Sequence, residues 1–568
     1  MEVVHEKLRQ DFSDFILPLE NERFSERRPK NIPAYSSMDA YNFKVRYQLE
    51  RFYRRYTFRD ELNLKAEIER KTNTKFMEIQ QRVGLPLKYS LSTYRVIQMA
   101  RKVIKDVLGD YCPEEHIQSC RFSERATYGS GLKSSYLDEK LVDISGSSGH
   151  ISWFIKSTTP DLLLQEALLG SPKECDKLKQ TLVPKTWDKR RPIIPNTTIG
   201  SFHSYGLGLM VQNRLQYRAA LDIRSLQEKH KVLARQASHH GNWVTLDLSS
   251  ASENFGSDTV NRLVPRKWYK QFCLGRIPYL ELSDGTIIRA ISFMGMGIGY
   301  TFTLQTLLFY GLLKAIYLVT GLKGPLSVYG DDCIFHKNIM EYVRSVFHDL
   351  RLVINEEKTY SSGPFRESCG GDYHSGIDVR PYMPEAVGTQ MSFEPYLAYA
   401  YKIYNGLSSR WESVEIPQTL QYLRDHIDIV SRANGLEIFY VPRTFPDYSG
   451  IKTDPDSVLR RCPAYKRMRG IPGGFILPCL NVTPRLRVIK REIAYYWRSL
   501  SLAQRDGSQD LRFVSSSKPK LLKAKTKSGE KILVIGSSGR RFRKLLLTES
   551  QRLAASTRVK HARWYSAV

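Results

Sequence analysis

Ten residues, Leu326 to Phe335 (LSVYGDDCIF), constrain what this chain can fold into more than any other stretch. Two short strand-like runs flank Gly330, Asp331 and Asp332, which reads as a tight β-hairpin with adjacent carboxylates at its turn. Apolar flanks hold that turn against a core, where the two aspartates repel each other and a metal cation would relieve the repulsion. Alone, the pattern is equally an ordinary acidic hairpin turn. It gains weight from Asn242 to Ser250 (NWVTLDLSS), where Val244, Leu246 and Leu248 alternate with Thr245 and Asp247. This is the period-2 pattern of a half-buried strand, with the Val/Leu face inward and Asp247 turned the other way. Together the two elements predict one antiparallel sheet on which Asp247, Asp331 and Asp332 converge. Three carboxylates suit hard, oxygen-preferring divalent ions such as Mg. Two such ions, about 4 Å apart, can activate a 3′-hydroxyl and stabilise a leaving pyrophosphate.

The charge of the chain agrees with a polyanionic partner. Its 568 residues carry 86 Lys or Arg against 58 Asp or Glu, a net charge of +28, and nucleic acid is the first candidate. That length accommodates about three or four domain-sized units with a core that needs no disulfides. A mean hydropathy of −0.38 and 42% apolar residues exclude both a bundle of membrane spans and a fully disordered chain. The eight cysteines (112, 120, 175, 273, 333, 369, 462 and 479) form no CxxC pair, so zinc has no support and a reducing cytoplasm is expected. The N-terminal MEVVHEKLRQDFSDF has no apolar h-region, so no signal peptide is expected. Phe302 to Leu322 is apolar enough to resemble a membrane span, but it holds Gln305 and Lys314 and has no companion. It reads as a buried core helix.

Three further stretches carry candidate chemistry. Ser292 to Tyr300 (SFMGMGIGY) alternates glycines, including Gly297 and Gly299, and gives a loop whose backbone can approach a ligand closely. Lys185, Lys189, Arg190 and Arg191 form a basic run stiffened by Pro184, Pro192 and Pro195. The planar fork of arginine matches triphosphate oxygens. In Ile354 to Tyr373, Lys358 follows two glutamates and could act as a general acid toward pyrophosphate. Two other motifs fail: GSGLKSS at 129–135 has the wrong spacing for a phosphate-binding loop, and His239–His240 lacks the spacing of a zinc site.

Along the chain, 1–180 reads as an N-terminal and fingers-like region, helical to about 110 and loop-rich from about 120. The basic motif and its connection occupy 181–240, the carboxylate motifs 241–385, and a mostly helical region 386–510. The tail 511–568 has 15 Lys or Arg against two Glu and contains one strand-like run, Lys531 to Ile535. It is either an RNA contact or a solvated arm.

The series VPK…RRPI, VTLDLSSASE, SFMGMGIGYTF, VYGDD and EEKTYSSGPFRESCG, in that order, resembles the RNA-directed RNA polymerases of positive-strand RNA viruses. It is most similar to the replicase beta subunit of the small RNA bacteriophages, the Qβ-like leviviruses, over roughly 180–385. The resemblance implies an α+β right-hand fold of fingers, palm and thumb, with an antiparallel palm sheet packed on helices. It implies primer-independent synthesis from ribonucleoside triphosphates on an RNA template, in the cytoplasm of the infected bacterium. Asp247, Asp331 and Asp332 match the metal-binding carboxylates for two Mg ions, with Mn as the alternative. Lys185, Lys189, Arg190 and Arg191 lie in the triphosphate-gripping motif, and Lys358 matches the general-acid lysine. Ser252, Ser292, Gly297 and Gly299 fall at the substrate. Host elongation factors Tu and Ts, and a ribosomal RNA-binding protein, are the implied partners; no membrane is.

There is one departure. The family's MGNGYTF is here Met296-Gly297-Ile298-Gly299-Tyr300-Thr301-Phe302. An amide there could sense the ribose 2′-hydroxyl and isoleucine cannot. That role falls to Ser252, Glu253 or Ser292, or the loop is threaded differently. The rival readings are a reverse transcriptase and a non-catalytic RNA-binding protein. The second gives no reason for three convergent carboxylates.

Overall fold

A helix that is apolar on every side must be enclosed, and in the computed structural model of the chain Thr301–Thr320 is the centre around which the largest core is built. The structure describes residues 1–13, 38–52, 54, 64–122, 127–128, 144–158, 173–186, 188–385 and 392–461. Beyond these it describes strands at 466–467, 474–482, 520–525, 531–536 and 557–565. The Thr301–Thr320 helix is long and apolar enough to cross a membrane, but 72% of its apolar window is buried in protein, as a core helix requires. Against it lies the Leu91–Leu108 helix, whose Val96, Ile97, Ala100, Ile104 and Val107 form one buried face. Each such aliphatic side chain stabilises by roughly 1.5–3 kcal/mol when fully buried. Ser90 caps this helix by accepting from Thr93 N at 3.2 Å, and Asp349 Oδ2 ties the cap to the next layer through Thr93 Oγ1 at 2.6 Å.

The expected antiparallel sheet is present, with three strands in the order Trp243–Leu246, Asp332–His336, Leu326–Tyr329. Tyr329 pairs with Asp332, so Gly330 and Asp331 alone make the turn. Gly330 is required twice over. Its φ is +65°, and a Cβ there would lie 2.5 Å from the Phe302 ring. The first strand departs from the expected alternation: Val244, Thr245 and Leu246 are all buried. Tyr360 bridges to Thr245 and Ile354 to Leu248 along the outer edge, and the Ile223–His240 helix also packs on the strand, so neither face reaches water. The strand ends at Leu246, leaving Asp247 just past its end.

A second antiparallel sheet, Phe365–Ser368, Gly371–His374 and Ile377–Asp378, is fastened to the first by Arg366. This guanidinium is fully buried and donates to five carbonyls: Trp243 (2.8 Å), Ser362 (3.2 Å), Gly363 (2.8 Å), Phe365 (2.7 Å) and Gly241 (3.5 Å). Burial lowers its pKa to about 10, still protonated at neutral pH.

Among the described residues the N-terminal region is helical, with helices at Glu2–Asp11, Ala40–Arg51, Lys65–Gly84 and Leu91–Leu108. A contact the sequence does not announce joins its first helix to the far end of the chain. Asp11 caps the Pro417–Arg432 helix, accepting from Gln418 N and Thr419 N at 2.9 Å each, and Leu8, Phe12 and Phe52 share a core with Tyr399, Trp411 and Leu420. In the tail, Lys531–Gly536 is a strand paired with Lys520–Lys525, and Thr557–Tyr565 pairs with Gly474–Val482. The 129–135 motif, Cys462 and the remainder of the tail lie outside the described residues.

Three buried histidines pack between helices Pro113–Ser119, Ser148–Thr158 and Thr198–Ala219: ring centroids of His116 and His203 are 4.7 Å apart, edge to face, and those of His150 and His203 6.1 Å. Burial lowers His116 and His150 to about 4 and His203 well below its ordinary value. His5 and His230, also buried, are lowered to about 4. The unfolded chain binds protons below about pH 6.5 that the folded one refuses until about pH 4. The stability these groups contribute is therefore complete above pH 6.5 and lost as the pH falls toward 4. Asp332 and Asp372, raised to about 7, act in the opposite direction, and so do Asp247 and Glu253, raised by burial, leaving four carboxyls against five imidazoles. Each imidazole costs about 1.4 kcal/mol per pH unit in that window. Thermal melts between pH 8 and pH 5 should show a midpoint that drops below pH 6.5. A flat profile would contradict the buried, neutral cluster.

Candidate active site

Asp247 is held at the end of its strand by the segment that runs back beside it. Asn355 N donates to the Asp247 carbonyl at 3.0 Å, and Asn355 Nδ2 donates to Asp247 Oδ2 at 2.7 Å. Lys358 Nζ lies 3.6 Å from the same oxygen. The adjacent carboxylate Asp332 accepts at Oδ2 from the backbone N–H and the thiol of Cys369, both at 3.3 Å. Desolvation raises the Asp247 pKa against the pull of Lys358, with Asp331 adding repulsion. Desolvation first, then Asp331 and Asp247, raise Asp332 to about 7. The three carboxylates therefore feel one another, in a place poor in water.

These residues fit a hard divalent cation by donor chemistry and by charge. Among the described residues, Oδ1 of Asp247 and of Asp332 and the whole Asp331 side chain accept no hydrogen bond, so oxygen ligands remain open. No three His, Cys, Asp or Glu side chains among those residues are gathered into a ready-made metal cage.

The basic run is a hairpin, Thr181–Thr186 paired with Lys189–Ile193. Lys185 and Arg191 reach a cavity of about 510 Å³ that Lys358 also lines. Lys185 is exposed to this space yet recessed. Desolvation, then Arg191 and Lys358, lower its pKa, while Asp247 and Asp331 oppose, which sets Lys185 beside the carboxylates. Arg190 is turned back, its guanidinium donating to the carbonyls of Thr186 and Lys189, and Lys189 is exposed outside the cavity lining. Of the four basic candidates, Lys185 and Arg191 are thus brought to the site.

Sequence reasoning missed several cavity residues. Arg54 and Arg380 add two cations, and Glu367, Asp372 and Glu385 add three acids, so five cations and three acids line the cavity. Glu367 is the leading cause of the raised Lys358 pKa, followed by desolvation in opposition and by Asp247. Arg54 and Arg380 carry no motif and could not be found by pattern. Asn355 and Glu367 lie inside the Lys358 stretch, where a polar residue near a candidate lysine was the available signal.

The glycine loop is packed rather than open. Gly297 has φ +119°, and a Cβ would lie 2.2 Å from the Ile194 carbonyl oxygen. The Ile194 N–H donates to the Met296 carbonyl at 2.6 Å, so the loop and the end of the basic hairpin meet backbone to backbone. The Gly299 N–H donates to Ser204 Oγ at 3.1 Å. Ile298 packs on the central core. Ser292 is fully engaged: its hydroxyl donates to the Glu253 carbonyl at 2.6 Å and accepts from Gln80 Nε2 at 2.7 Å. Ser252 is buried, next to Glu253, whose carboxyl is raised first by burial, with Asp331 adding repulsion and Arg191 opposing it.

Comparison with known proteins defines the class. The model of the RNA replicase, beta-chain, family matches residues 51–468, and the chain belongs to that family. The match extends beyond 180–385 on both sides. The chain is 30% identical over 293 residues to the RNA-directed RNA polymerase subunit beta of Escherichia virus Qbeta, covering 50% of this chain and 48% of that protein. To the RNA-directed RNA polymerase beta chain of Escherichia phage MS2 it is 32% identical over 200 residues, 35% and 36% of the two chains. The matched part spans about half the length of the Qbeta relative, or less for MS2. Among solved structures, the RNA-dependent RNA polymerase of a human picorbirnavirus aligns with a TM-score of 0.38 at 13% identity, covering 64% of this chain and 78% of that one.

Proposed function

We propose that this chain is the template-directed RNA polymerase of a positive-strand RNA phage, copying RNA from ribonucleoside triphosphates without a primer in the cytoplasm of the infected bacterium. In this reading the fold is a right hand: 241–385 the palm, the basic hairpin and glycine loop part of the fingers, and 386–510 the thumb. What supports the reading is the adjacency of one carboxylate group and one cationic cavity, joined through Lys185 and Lys358. Family membership supports it independently.

Asp247, Asp331 and Asp332 would hold two Mg ions, which when bound neutralise phosphate charge and activate the 3′-hydroxyl. Asn355 keeps Asp247 oriented. Lys185 and Arg191, with Arg54 and Arg380 lining the same cavity, bind the triphosphate. Lys358 holds a proton at Nζ, secured by Glu367, and delivers it to the departing pyrophosphate. With Ser292 engaged by Gln80 and Ile298 in the core, Ser252 and Glu253 are left to read the ribose 2′-hydroxyl. Host elongation factors Tu and Ts and a ribosomal RNA-binding protein are the partners the family resemblance supplies.

Competition between ribo- and deoxyribonucleoside triphosphates on one RNA template tests the substrate class. A site built to pair the 2′-hydroxyl should prefer the ribonucleotide by on the order of 10² or more. Glu253→Ala should narrow that preference without abolishing synthesis. Preferential deoxynucleotide incorporation by the wild type would make the protein a reverse transcriptase instead.

A further inference from the structure

Asp332 stands at the head of a file of side chains that runs from the site into the core. Behind the Cys369 thiol that donates to its Oδ2, Ser368 Oγ donates to Cys369 Sγ at 3.8 Å and lies 2.9 Å from His230 Nδ1. The other ring nitrogen, Nε2, lies 2.9 Å from Ser327 Oγ. His230 is 0% exposed, and Ser327 and Ser368 are 2% exposed, so water does not complete the inner part of this file. Each hydroxyl, the thiol and a neutral imidazole have one proton to give. One assignment serves all four: Ser327 donates to Nε2, Nδ1–H to Ser368, Ser368 to Cys369, and Cys369 to the carboxylate. The opposite tautomer reverses the Ser368 hydroxyl and leaves the thiol without a donor. The network thus selects the neutral Nδ1–H form. Burial, which lowers His230 to about 4, keeps the ring neutral at working pH.

The file joins three separate segments: the Ile223–His240 helix, the Leu326–Tyr329 strand and the Phe365–Ser368 strand. It ends on a carboxylate that Asp331 and Asp247 repel and that would otherwise rotate away from them. We infer that His230 is a positioning residue: through Ser368 and Cys369 it fixes Asp332 Oδ2 and so keeps Oδ1 presented to a divalent cation. The inference rests on the functional reading above, since that reading supplies the cation.

The test uses the full chain with His230 changed to Ala, Asn and Gln. Mn²⁺ affinity is read by electron paramagnetic resonance without RNA or nucleotide, beside the Mg²⁺ concentration for half-maximal incorporation and a thermal melt. Outer hydrogen-bond partners of metal ligands are typically worth 10–100-fold in metal affinity. His230→Ala should weaken Mn²⁺ binding about ten-fold and raise the Mg²⁺ requirement alike. His230→Asn, which keeps a donor at the Nδ1 place, should recover most of that affinity. His230→Gln, which reaches only the Nε2 place, should not. Equal metal affinity in all three variants, or losses that follow only the melting temperature, would overturn the inference. Should His230→Ala not fold, Cys369→Ser and Cys369→Ala decide: both keep the backbone N–H that donates to Asp332, but only the serine keeps a side-chain donor, and equal affinities again overturn it. A wild type that neither binds Mn²⁺ nor incorporates nucleotide would instead remove the functional reading itself.

Discussion

Asp247→Asn is expected to reduce nucleotide incorporation by on the order of 10³-fold while leaving RNA affinity within a factor of two or three. The substitution is nearly isosteric, and an amide oxygen can still accept from Asn355 Nδ2, which now meets the carboxylate at 2.7 Å. The fold should therefore survive, and what disappears is one negative charge. That charge opposes Lys358 at 3.6 Å and contributes to the raised pKa of Asp332. In the proposed function its loss removes a cation ligand worth several kcal/mol at the reacting centre, and each 1.4 kcal/mol is about a factor of ten in rate. On the proposed function RNA affinity would rest on phosphate contacts by many lysines and arginines, which this change does not touch. Steady-state incorporation together with filter binding of RNA separates the two quantities. A loss of both in parallel would show that Asp247 serves the fold rather than the chemistry.

The second large effect is structural. Gly297→Ala should destabilise the protein by about 3–5 kcal/mol, the sum of a non-glycine side chain at φ +119° and overpacking against a backbone carbonyl 2.2 Å away. The obstacle is Ile194 at the end of the basic hairpin, so any relief moves the loop away from the strand that carries Arg191. The KM for nucleotide should rise with the loss of stability, whereas a simple surface glycine would change neither. Denaturant unfolding and nucleotide KM on the same variant check this; wild-type values for both would mean that loop and hairpin are not in contact.

What the sequence made legible follows local periodicity. The Asp331–Asp332 hairpin and the Thr301–Thr320 helix could both be read because each carries its own pattern of alternation, apolarity or turn residues within a dozen or two positions, whereas the basic run showed its charge and prolines but not the hairpin it forms. What stayed hidden depends on chain segments far away. Thr245 looked solvated because nothing in its neighbourhood announces that Tyr360 closes the strand edge. Ser292 looked available because its partner, Gln80, lies 212 residues earlier on a helix with no motif. The role of Asn355 was closest to recoverable, three residues before Lys358. The cap that Asp11 provides for the Pro417–Arg432 helix had no local signal at all. Buried polar pairing across the chain decides which candidate side chains remain free to act, and local pattern does not encode it.

The central claim is that Asp247, Asp331 and Asp332 form the cation site of an RNA-copying enzyme. Mg²⁺-dependent incorporation of labelled ribonucleotides on a short C-rich RNA template tests it most directly. Wild type and Asp331→Asn are compared with and without bacterial host extract, because a replicase that requires host subunits could be silent alone. The account predicts template-dependent synthesis by the wild type in at least the extract-supplemented reaction, and none by Asp331→Asn although it still binds RNA. Synthesis by Asp331→Asn at the wild-type rate would contradict it. So would tight RNA binding by the wild type, indifferent to Mg²⁺, with no synthesis under either condition.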